Sequence, residues 1–243
     1  MTLPASFSLR RLRLLSGLVL FAYVGLHLLN HALGIFSLAL AESALSLALA
    51  FWRIPLVTML LYGAAAVHFA LALRTLYSRR EWNLPWLEVL RLASGFSFPL
   101  LLIGHAVNTR LGDSLFGLRP SYSAVITNLQ MAGAQGTQLA LLAPGWLHGC
   151  LGLWITLRRF EMMRRLKYVL IGLTAAIPLL AAAGFFRMAT EISARAAPLQ
   201  AHASAAEQAT LAAWKDDLTL GYFCAVIAAI VLGRVRALAA NSV

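Results

Sequence analysis

Six stretches of this chain are apolar over lengths that suit a lipid bilayer, most of them about 20 residues. Lipid offers no hydrogen-bond partner to a peptide group, so such stretches must be helices. They run from Leu14 to Ala41, Pro55 to Tyr77, Val89 to Leu111, Leu139 to Leu157, Tyr168 to Met188 and Leu218 to Leu232, the last a little short. The sequence therefore predicts an all-α membrane protein of six transmembrane helices. Composition agrees: 60% of the 243 residues are hydrophobic and 12% are charged. A soluble domain carries about twice that charged fraction.

The charge pattern predicts orientation. Of the 20 Lys and Arg, 14 fall on one side of a six-span chain. They are Arg10, Arg11, Arg13, Arg74, Arg79, Arg80, Arg91, Arg158, Arg159, Arg164, Arg165, Lys167, Arg234 and Arg236. The other side takes Arg53, Arg110, Arg119, Arg187, Arg195 and Lys215. The positive-inside rule then puts both termini in the cytoplasm of a cell with an inner membrane. The net charge of +11 follows from these short loops and not from a nucleic-acid footprint. Arg10, Arg11 and Arg13 precede an apolar run too long for a signal peptide, so it reads as a retained first helix.

Two connections are long. Gly112–Gln138 is polar with little charge, carrying only Asp113 and Arg119, and is expected to pack over the bundle mouth. Thr190–Asp217 is alanine-rich, with room for a helix outside the membrane. The whole reads as one membrane domain over 1–243. Residues 1–160 form a four-helix core, and 161–243 supply two further helices leading to a cytoplasmic C-terminus.

Five of the six histidines lie inside apolar runs: His27, His31, His68, His105 and His148, with only His202 outside. A polar imidazole is costly in hydrocarbon, so each marks a functional position by default. A rise of about 1.5 Å per residue sets their depths. His68 and His148 lie about 9 and 15 Å from the inner face, and His27 and His105 about 20 Å. His31 is one turn above His27 and competes with it, and depth favours His27. Each group offers one imidazole from each of two helices, which is what two stacked bis-histidine b haems require. A copper or zinc site would want about four ligands at one depth. A proton relay would want Asp or Glu within a span, and none is expected there. Cys150 and Cys224 have no metal-ligand spacing and read as bystander thiols.

The histidine pattern resembles the dihaem cytochrome b anchor of succinate dehydrogenases and fumarate reductases. Ser16-Gly17 precedes His27 by the interval that family keeps before its first ligand, and His68, His105 and His148 follow at similar spacings. The resemblance implies that His27 and His105 hold an outer haem and His68 and His148 an inner one, with quinone as redox partner. It covers the first four spans. A sixth span departs from the typical five. It is more similar, with Leu28-Leu29-Asn30-His31-Ala32-Leu33-Gly34, to the six-span anchor of bacterial class III adenylate cyclases. That likeness implies a redox-sensing module for a cytoplasmic cyclase domain C-terminal to this chain, working as a homodimer. No cyclase catalytic residues are expected in these 243 positions. A respiratory subunit passing electrons between succinate and quinone is the alternative. A haem-free transporter or structural protein is a third class. Asn30, His31, Asn108, Arg110 and Tyr122 are candidates for quinone or propionate contact. Arg53, Arg110 and Arg119 equally suit headgroup anchors.

Overall fold

The computed structural model describes residues 5–194 and 203–241. Arg195, His202 and the middle of the second long connection lie outside them. Every secondary-structure element among the described residues is helical, and six helices are long and apolar enough to cross a membrane. This is the build of a multi-pass membrane protein.

The first apolar run does not form one helix. Helix α1 (Ala5–Leu33) stops at Gly34, and α2 (Leu38–Trp52) starts afresh. The backbone turns through three successive i to i+3 bonds, from the Gly34, Ile35 and Phe36 amides to the carbonyls of His31, Ala32 and Leu33. Ser37 then caps α2, its hydroxyl accepting from the Leu40 amide at 3.1 Å. Glu191 accepts from the Leu38 amide at 3.1 Å. Glycine is needed at the corner because the helix that carries Gly184 and Met188 arrives there. A Cβ on Gly34 would meet Met188 and the Gly184 carbonyl at under 3 Å, and one on Gly184 would strike the His31 carbonyl. Residues 34–41 therefore leave the first span, and α2, with 15 residues, is too short to cross a bilayer.

Helix α3 (Pro55–Ser78) has proline in its first turn, where no amide donor is required. Helix α4 (Trp86–Ala106) carries Pro99 and passes into a π-helical turn (Val107–Leu111) and a short α5 (Gly112–Phe116). The first long connection then contains α6 (Tyr122–Met131), capped by the Ser121 hydroxyl. Helix α7 (Gln135–Leu157) begins four residues earlier than the hydropathy suggests. A short α8 (Glu161–Arg165) leads to α9 (Lys167–Ala194). The last helix, α10 (Ala205–Asn241), is 37 residues and about 55 Å long. It begins 13 residues before the expected Leu218. Asp216 and Asp217, placed by sequence in a connection, are therefore helical.

Helix α1 packs against α3, α7 and α9; α4 packs chiefly against α7. Between α3 and α4 stands α10, touching both. Two ends of the bundle follow. At the arginine-rich end, Arg13 donates to Thr75, and Glu88 bridges Arg79 and Arg91. Gly233 of α10 also lies against the Tyr77 backbone at that end. At the far end, α2, α6 and α9 join in one apolar cluster built on Leu38, Tyr122, Ile126, Phe185 and Met188. Glu42 accepts there from the amide and hydroxyl of Ser123, and Arg53 pairs with Asp113 at 2.6 Å. The connection Gly112–Gln138 does pack across this end of the bundle, through α6 against α2, α7 and α9.

Candidate functional site

An interior cavity of about 1740 Å³ runs between the helices, and all five span histidines line it. Its wall is overwhelmingly apolar. A pocket for one drug-sized ligand holds about 300–1,000 Å³, so this volume exceeds what one such ligand fills.

The histidines meet in two groups. His68 of α3 and His148 of α7 approach with ring centroids 6.0 Å apart and planes at 88°. His27 of α1 and His105 of α4 approach to 5.8 Å at 64°. His31 lies beside His27, with centroids 4.6 Å apart.

Near the arginine-rich end each Nδ1 has a partner. His148 Nδ1 lies 2.9 Å from the Arg91 carbonyl, which only accepts, so Nδ1 carries the proton. The Ser16 hydroxyl lies 3.1 Å from both the Arg13 carbonyl and His68 Nδ1; with its one hydrogen on the carbonyl it accepts from that nitrogen. In that arrangement both rings keep a bare Nε2. That tautomer, held by a partner on the other nitrogen, is how proteins prepare imidazole to bind a metal. Two glycines make room for the rings. A Cβ on Gly95 would meet His148 Nδ1 at 2.5 Å, and one on Gly17 would meet His68 at 3.1 Å. Ser16-Gly17, noted in the sequence for its interval before His27, thus touches His68. Gly95 and the Arg91 carbonyl carried no sequence signal, because neither is a ligand type.

At the far end the arrangement is looser. His105 Nδ1 meets the Gln138 side-chain amide at 3.1–3.2 Å. His27 Nε2 and His31 Nε2 are 3.2 Å apart, so one of them donates to the other. Around them four buried polar atoms lack a partner: Asn30 Oδ1 and Nδ2, His31 Nδ1 and the Tyr122 hydroxyl. All three residues line the cavity. Burial, and then the Glu42 carboxylate, push the Tyr122 phenol well above its ordinary value, so it remains a neutral donor. Arg110, on the π-helical turn, donates to the Tyr62 hydroxyl at 3.0 Å and also lines the cavity, as does Arg53. Asn108 and Arg119 are exposed and stand outside the cavity wall.

One further residue escaped sequence reasoning. Tyr222 of α10 lines the cavity, donates to the Phe96 carbonyl at 2.5 Å and stacks on Phe69 with centroids 5.8 Å apart. Phe69 neighbours His68, and Phe96 neighbours the Gly95 that packs on His148. The last helix is therefore in contact with the surroundings of both these histidines.

Comparison with protein-family models, with curated proteins and with solved structures yields no match.

Proposed function

We propose that this chain is a dihaem b-type cytochrome of the inner membrane, which exchanges electrons with quinone and reports redox state to a cytoplasmic adenylate cyclase domain following α10. The observation that carries the reading is the pair of histidine approaches on one large apolar cavity. Two metal–imidazole bonds of about 2 Å, plus about 1 Å from each ring centre to its nitrogen, put the centroids about 6 Å apart. The two pairs stand at 6.0 and 5.8 Å. His68 and His148 would hold one haem iron, and His27 and His105 the other. Bound there, haem supplies a reversible one-electron couple.

The charged residues suit this reading. Arginines line the cavity at both ends: Arg10, Arg11, Arg13, Arg91 and Arg159 at one, Arg53 and Arg110 at the other. Guanidinium groups so placed would receive the propionate carboxylates. The unpartnered Asn30, His31 and Tyr122 atoms suit a quinone headgroup or a propionate. Each buried polar atom left without a partner costs about 1–3 kcal/mol, so a polar ligand there is favoured. In this reading the arginine-rich end faces the cytoplasm. There α10 delivers the chain's C-terminus, and the parent protein works as a homodimer.

The deciding experiment is a reduced-minus-oxidised visible spectrum with pyridine-haemochrome quantitation. Two b haems per chain are expected. One haem would make one pair structural, and none, in cells supplied with haem, would remove the reading. The signalling half stands apart: unchanged cyclase activity on haem reduction in the longer protein would remove it. Co-purification with flavin and iron–sulfur subunits would instead mark a respiratory anchor.

A further inference from the structure

A second, smaller pocket of about 590 Å³ opens at the arginine-rich end, between the start of α1 and the end of α3. Four guanidinium groups line it, from Arg13, Arg74, Arg79 and Arg80, together with the apolar side chains of Leu9 and Leu71. The arginines are unequally engaged. Arg13 donates to Thr75 at 2.8 Å and to the Leu71 carbonyl at 3.4 Å, which holds it without neutralising it. Arg79 shares Glu88 with Arg91, and its Nε is buried with no partner. Arg74 and Arg80 are exposed and make no ion pair among the described residues. Among the described residues Glu81 is the only carboxylate on the pocket wall, against the four cations.

Positive-inside arginines explain a basic surface but not a concave one with an orphaned buried donor. The shared chemistry of such a site is a phosphate group, because guanidinium forks match phosphate oxygens in charge and geometry. The pocket also has an apolar side, and it lies where α1 and α3 leave the membrane. A free anion has no use for Leu9 and Leu71, whereas an amphiphile does. Basic pockets between transmembrane helices at a membrane face are where anionic lipid headgroups bind.

We propose that this pocket binds the phosphate headgroup of one anionic phospholipid, with Arg74, Arg79 and Arg80 on the phosphate and Leu9 and Leu71 against the first carbons of its chains. Arg13 lines both this pocket and the histidine cavity, whereas Arg74, Arg79 and Arg80 line this pocket and not the other. The pocket also adjoins the exit of α10: Arg234 reaches the Arg80 carbonyl at 3.4 Å, and Arg236 lies over the Tyr77 ring at 4.5 Å. A lipid held here would brace the end of the last helix.

The test uses the full chain in phosphatidylcholine nanodiscs, with phosphatidylglycerol titrated in and bound lipid counted by native mass spectrometry. One phosphatidylglycerol per chain is expected. The double variant Arg74→Gln/Arg80→Gln changes two exposed residues and should weaken retention about 25-fold, two surface charges' worth. The variant Arg164→Gln/Arg165→Gln removes the same charge from the same end outside the pocket, and should retain the lipid. Equal loss in both variants would mean diffuse attraction and overturn the site. So would absence of bound lipid in the wild type. Displacement of the lipid by millimolar inorganic phosphate would reassign the pocket to a free anion.

Discussion

The two histidine groups differ in how completely the protein prepares them. His68 and His148 each have Nδ1 engaged, by the Ser16 hydroxyl and the Arg91 carbonyl. Each also packs against a glycine, and among the described residues no third histidine ring joins them. His27 and His105 share their end with His31, whose Nε2 occupies the same nitrogen of His27 that an iron would need. Unpartnered polar atoms of three neighbouring residues gather beside this pair: Asn30, His31 and Tyr122. A pair held on both sides suits a cofactor that stays put. A pair with a competitor and free polar groups suits a place where something else arrives. In the proposed reading the first is the fixed haem site, and the second faces the exchangeable partner.

The largest expected effect tests the first pair. Replacing His68 or His148 singly with Ala should take haem content from two per chain to one, and the two variants should have the same remaining spectrum. Loss of both haems, or of neither, would break the pairing of these residues. The next effect separates His27 from His31. His27→Ala should also remove one haem. His31→Ala should keep both while shifting the midpoint potential of one, since it frees His27 Nε2 from its neighbour. The reverse outcome would make His31 the ligand.

The sequence disclosed the helices better than their ends, for a physical reason. Apolar periodicity survives a corner when the corner itself is apolar. Gly34-Ile35-Phe36 gives no hydropathy break between α1 and α2, and only Gly34 and the capping Ser37 mark it. The need for the corner lies 150 residues away, in Gly184 pressing on the His31 carbonyl. At α10 the error ran the other way. Lys215, Asp216 and Asp217 look like a loop, yet Ala205–Asn241 is one helix. Its tolerance of the charged turn comes from position: Lys215 is near Gly104, and Asp217 lines the cavity. The histidines were visible because imidazole is conspicuous in an apolar run. Their supports were not. The Arg91 carbonyl is backbone, Gly95 is one small residue among many, and Gln138 sat in what looked like a connection. Tyr222 lay in a helix that sequence placed outside the four-helix core, although α10 stands between α3 and α4.

Those supports allow the finest test of the comparison. Gly95→Ala and Gly17→Ala add the same methyl group beside the two rings of one pair, at 2.5 Å from His148 and 3.1 Å from His68. The first distance is one real Cβ atoms essentially never show, and His148 is also held to the Arg91 carbonyl, so the ring must leave its place. Gly95→Ala should therefore lower occupancy of that haem alone. Gly17→Ala asks a few tenths of an ångström of His68 and should leave both haems bound. Ser16→Ala removes the hydrogen bond and leaves the space, with an expected weakening of haem retention of about tenfold. Apo-protein titrated with haem would read all three, with the far-end haem as internal reference. If Gly17→Ala proved as damaging as Gly95→Ala, contact distance would not be what sets the pair. The tightness that distinguishes it from the His27–His105 end would then have to come from the hydrogen bonds alone.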